Sequence, residues 1–156
     1  MKICGIDLAA HDAIVVVLDG TRVSWKVIDS ELRKVSLLDD EDAGQVRAFQ
    51  NAVGAVVKRH GVDRIVIKKR GKKGKFAGGP VSFKMEGVIQ LIDICEVVLL
   101  SPQTIAIVSK MNLNAVPDEL KQYQRDAFFT AFAGLDNTLE LRWTAILLER
   151  ITAWNP

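Results

Sequence analysis

Six cations, Lys68, Lys69, Arg70, Lys72, Lys73 and Lys75, fall within eight residues with no acid among them. Gly71 and Gly74 interrupt the run and Gly78 and Gly79 follow it, so the stretch reads as a flexible cationic loop. Its +6 stands against a net +2 for the chain, which leaves the other residues at −4, with fifteen basic and nineteen acidic side chains. The basicity is therefore local, and the chemistry it suits is contact with a polyanion, phosphate above all. Phe76 is the loop's single aromatic residue. With no aromatic series to stack bases, the loop is suited to gripping the backbone of structured DNA or RNA rather than reading its sequence. The plainer reading of such a run is solvated surface.

The elements around the loop decide where it points. Lys2–Leu8, Ala13–Asp19 and Thr21–Asp29 read as three strands in a meander, with residues 30–40 irregular or a short edge element. Asp39 or Asp40 then caps a helix over Glu41–His60, with Val46, Phe49, Val53, Val56 and Val57 on its apolar face and Gly61 ending it. Lys58, Arg59 and His60 suit the helix's negative end. Val62–Ile67 follows as a fourth strand, entered from a helix and so expected to lie parallel to the first. The cationic loop leaves its end. A helix over Val81–Ile94, a strand at Cys95–Leu100 and a short helix capped by Ser101 at Pro102 come next. Pro117-Asp118-Glu119 opens a helix running to about Leu135, and Thr138–Ala153 forms the last. The expectation is an α/β fold, a mixed five-stranded sheet flanked by helices, with the first strand central.

The 156 residues suit a single domain, with a core over 2–134 and a C-terminal helix at 138–153. No apolar run nears the roughly 18 residues of a membrane span. Met1-Lys2-Ile3-Cys4-Gly5 lacks the character of an export signal, so a cytoplasmic location is expected. Cys4 and Cys95 lie in apolar runs and read as reduced, buried thiols. There is no Walker sequence or GxGxxG. Phe128, Phe129 and Phe132 recur at helical spacing as core, and Trp143 and Trp154 read as packing or as a homodimer face.

The opening Ile3-Cys4-Gly5-Ile6-Asp7 resembles the first strand of the RuvC-like Holliday-junction resolvases, a branch of the ribonuclease H-like superfamily, in which that strand ends in a metal-binding Asp. Phe76–Thr104 looks like the helix, strand and short helix that follow their fourth strand. Tyr123-Gln124-Arg125-Asp126-Ala127 resembles their late helix, which returns an acidic residue toward the first Asp. The likeness spans residues 2–134, and the chain is more closely similar to a small bacterial family that brings no activity with it.

The resemblance implies a Mg²⁺- or Mn²⁺-dependent, structure-selective nuclease, in which carboxylates hold ions that activate water and stabilise the leaving oxygen. Asp7 and Asp126 are the matching pair. In the resolvases the fourth strand ends in a Glu, and the matching residue here is Lys68. An ammonium about 4 Å from Asp7 would interact with it by roughly 4 kcal/mol at an effective dielectric of 20, and would oppose a metal in the same place. Glu86 is the candidate replacement carboxylate and base; Asp12 and Asp93 are weaker ones. His11 is either a proton shuttle or a turn residue. Three readings follow: a nuclease in which Lys68 and its neighbours place the phosphate, a non-catalytic nucleic-acid-binding module with Lys68 in place of a metal ligand, or a scaffold whose lysines meet an acidic protein surface.

Overall fold

The structure is a computed structural model describing residues 1–28, 33–74 and 77–135. Lys75, Phe76 and the expected helix at Thr138–Ala153, with Trp143 and Trp154, lie outside the described residues. The elements in chain order are β1 (Lys2–Ala9), β2 (Asp12–Gly20), β3 (Trp25–Ile28), β4 (Lys34–Ser36), α1 (Ala43–His60), β5 (Arg64–Lys68), α2 (Pro80–Gln90), β6 (Glu96–Leu100), α3 (Pro102–Met111) and α4 (Arg125–Gly134).

One mixed sheet runs in the order β3-β2-β1-β5-β6. β1 pairs antiparallel with β2, Asp7 opposite Ile14, and parallel with β5, Ile6 opposite Ile67. β6 pairs parallel with β5, so the sheet is α/β with its first strand central, as its near-continuous apolar run requires. The short element expected within 30–40 is β4, which shares β2's outer edge with β3 and makes the sheet six-stranded among the described residues.

Period-two alternation divides the core. Cys4, Ile6, Leu8, Ile65 and Ile67 face α1 and α2 on one side, whereas Ile3, Val66 and the phenylalanines of α4 pack on the other. Trp25 meets Phe128 and Phe132 edge-on at ring-centre distances of 5.3 and 5.9 Å. Cys4 is a fully buried free thiol whose pKa burial pushes up to about 12, and Cys95 is also free.

Several boundaries differ from expectation: β3 begins at Trp25 rather than Thr21, and α2 ends at Gln90 rather than Ile94. Asp42, not Asp39 or Asp40, caps α1, accepting from Gly44 N–H at 2.6 Å and Gln45 N–H at 3.1 Å; Asp39 instead holds the preceding turn through the Glu41 N–H. The helix expected to begin at Pro117 is only a turn there. Extended Lys121 interrupts the chain, a 3₁₀ turn follows at Gln122–Gln124, and α4 starts at Arg125. Residues 117–124 carry only Leu120 and Tyr123 as large apolar side chains, too few for a buried stripe. This delay places Asp126 in the first turn of α4. Among the described residues no helix is long and apolar enough to cross a membrane.

Candidate functional site

The alternation that sorts the core also builds the site. Ile3, Gly5 and Asp7 point to the α4 side of β1, and Val66 and Lys68 to the same side of β5. Gly5 permits a close approach of α4: a Cβ there would stand 2.3 Å from both the Ala127 carbonyl oxygen and the Ala131 nitrogen. The helix therefore lies directly on β1, and its first turn carries Asp126 over the carboxyl ends of β1 and β5.

The three side chains meet. Lys68 Nζ is 2.5 Å from Asp126 Oδ2 and 3.5 Å from Asp7 Oδ1. Arg70 turns in beside them, its Nη2 at 3.7 Å from Asp7 Oδ1 and its Nη1 donating to the Leu8 carbonyl. The main-chain N–H of Arg70 donates to Glu86 Oε2 at 2.8 Å. Glu86 lies in the second turn of α2 and is buried against this loop rather than beside Asp7.

Asp7 and Asp126 differ in environment. Asp7 is only 8% exposed and its Oδ1 has no hydrogen-bond partner, whereas the Asp126 side chain is half exposed. Burial pushes the Asp7 carboxyl above its ordinary 3.8; Lys68 pulls it down, Asp126 pushes it up and Arg70 pulls it down, with burial the largest effect. A carboxyl whose pKa is raised by folding costs stability once ionised, so this contribution falls as pH rises from the ordinary value through the folded one. Asp7→Asn is therefore expected to melt higher than the wild type at neutral pH, with the gap closing below pH 3.8. Thermal melts across pH test this, and a lower melting temperature at pH 7 would show that the Lys68 pairing outweighs burial.

Of the loop cations among the described residues, two are spent on the interior. Lys68 and Arg70 are held by carboxylates and a carbonyl, as the reading with Lys68 in place of a metal ligand expects of Lys68 but not of Arg70. Lys69, Lys72 and Lys73 are exposed. The loop is closed at its base by Gly78 N–H donating to the Gly71 carbonyl at 2.9 Å, and Gly74 takes φ +92°, which favours glycine. Beside it lies an open groove of 550 Å³ lined by Asp7, His11, Lys68, Arg70, Gly78 and Pro80 among others. His11 Nδ1 is 3.2 Å from the Leu37 carbonyl, which only accepts, so that nitrogen carries a proton and the ring serves the β1–β2 turn. Asp12 is bound to Ser36 and Lys34, which hold it below the usual carboxylate range, and Asp93 follows α2 at the opposite end of β5 and β6.

The expected metal set of Asp7, Asp126 and Glu86 does not form a cage. The first two converge, but on an ammonium, and Glu86 gives an oxygen to a main-chain donor. No group of three His, Cys, Asp or Glu side chains among the described residues is placed to hold an ion. The donor set does not fit a divalent cation. Sequence reasoning missed the inward turn of Arg70 and the role of Gly5, although a lone glycine within a strand does signal close approach.

A family model described as "Protein of unknown function (DUF3010)" matches residues 1–134. The chain belongs to this family. No curated protein matches the DUF3010 chain. Among solved structures, Thermus thermophilus RuvC shares 14% identity with it over 85% of this chain and 92% of that one, with a TM-score of 0.66. The T. thermophilus RuvC complex with Holliday junction substrate gives 14% identity, 85% and 91% coverage and a TM-score of 0.60. The yeast mitochondrial Holliday junction resolvase gives 11%, 84% and 76%, and 0.55. These likenesses show that the DUF3010 chain has the RuvC-type ribonuclease H-like fold.

Proposed function

We propose that this protein binds the phosphate backbone of structured nucleic acid and does not cut it. The observation that carries this reading is the division of labour in the loop: Lys68 and Arg70 anchor it to the carboxylates, and Lys69, Lys72 and Lys73 are left exposed on glycine-rich backbone at the carboxyl end of β5. Ligands of open α/β sheets bind at that end of the strands. Two similar structures, T. thermophilus RuvC and the Fowlpox virus resolvase (13% identity, TM-score 0.53), are complexes with Holliday junctions, which favours branched DNA as the first substrate to try.

One observation favours cleavage, namely that Asp7 and Asp126 do converge at the end of the central strand. For Mg²⁺ or Mn²⁺ to serve there, Lys68 would have to swing out toward phosphate and Glu86 to leave the Arg70 N–H. The test is incubation of the protein with labelled four-way junction, duplex and single strand, as DNA and RNA, in EDTA or Mn²⁺. Retention of junction or duplex in EDTA with no product in Mn²⁺ is the expected result. A product that requires Mn²⁺ and disappears in Asp7→Asn would establish the nuclease instead.

A further inference from the structure

We propose that Lys68 is the resident cation of the carboxylate pair, its ammonium standing where a divalent ion would bridge Asp7 and Asp126, so that the native protein takes up no divalent metal there. This holds or fails whether or not the loop binds nucleic acid. An ion bridging two carboxylates needs an oxygen from each within about 2.0–2.6 Å. Lys68 Nζ already lies 2.5 Å from Asp126 and 3.5 Å from Asp7, so the space between them is filled.

Charge points the same way. The groups that act on Asp7 are Lys68, Asp126 and Arg70, and with Asp7 itself they sum to zero. A dication would turn a balanced cluster into one with two uncompensated positive charges, repelled by an ammonium and a guanidinium that are mostly buried. Arg70 is further tied to the Leu8 carbonyl and would give up that hydrogen bond on withdrawing. The other buried carboxylate among the described residues, Glu86, faces the Arg70 N–H.

One substitution should therefore convert the site. Lys68→Glu replaces the bridging cation by a third carboxylate, and three acids with one guanidinium call for a cation. Thermal melts in EDTA and in millimolar Mn²⁺ read this directly. The wild type is expected to melt at the same temperature in both. Lys68→Glu is expected to melt lower in EDTA and to regain about 5–10 °C in Mn²⁺, the rise for a ligand near a hundredfold over its dissociation constant. Lys68→Gln, which removes the cation and adds no charge, is the second variant and should gain a smaller Mn²⁺ shift; it decides the matter if Lys68→Glu does not fold. A Mn²⁺ shift in the wild type that Asp7→Asn abolishes would overturn the proposal. So would the absence of any shift in the folded Lys68 variants.

Discussion

Gly5→Ala is expected to lower stability by about 3 kcal/mol, the upper end for an overpacked core, and the melting temperature by roughly 6–12 °C for a domain of this size. The added Cβ would stand 2.3 Å from the Ala127 carbonyl oxygen and the Ala131 nitrogen, and both are main-chain atoms of α4 that cannot rotate aside. The helix must lift from β1. Because Asp126 rides on its first turn, the same displacement pulls that carboxylate off Lys68, so packing and site fail together. Gly87→Ala is the control. Its Cβ would meet no atom within 4 Å on an exposed face of α2, and there alanine should add roughly 0.5–1 kcal/mol. Urea and thermal unfolding of both variants check the pair of outcomes, and a Gly5→Ala protein as stable as the wild type would mean that α4 does not lie this close.

How much of the molecule is legible in its sequence depends on whether a feature is local. The strands and their order follow from apolar runs and from the rule that a helix-linked strand returns parallel, and the structure has β1 central with β5 beside it. The convergence of Asp7 and Asp126 follows from a likeness to known resolvases, and side-chain alternation explains it: Gly5, Asp7, Val66 and Lys68 share the α4 face. What stays hidden depends on tertiary contact. Apart from Lys68, whose place opposite Asp7 the resemblance suggests, the cation run reads as outward, yet Arg70 too lies next to the buried Asp7 carboxylate, whose uncompensated charge is costlier than the solvation that cation gives up. Glu86 lies on α2, within the helix expected over Val81–Ile94, but it faces a loop amide, which helical spacing alone does not reveal. The late start of α4 likewise reflects where Leu120 and the phenylalanines find the sheet, which no run of helix formers between 117 and 124 records.

Neutralising the exposed loop, with Lys69, Lys72 and Lys73 all changed to Gln, is expected to separate binding from folding. Every phosphate that a lysine no longer neutralises takes roughly 0.9 off the slope of log affinity against log salt on duplex DNA, so three such changes lower it by about 2.7. Put as affinity, the wild type should weaken roughly 40-fold more than the variant across a fourfold rise in salt. The fold should not notice, because the three side chains are exposed and surface changes of this kind stay within about 0.5 kcal/mol. Lys68 and Arg70 are left in place on purpose: removing either would strip a partner from buried Asp7, and weaker binding could then reflect a damaged structure. Titration of labelled junction and duplex at several salt concentrations gives both slopes. Equal slopes and affinities in the two proteins would take these lysines out of the interface and favour the scaffold reading, in which they meet an acidic protein surface. A flatter slope with an unchanged melting temperature would instead assign the grip to Lys69, Lys72 and Lys73, with Lys68 and Arg70 serving as the loop's anchor.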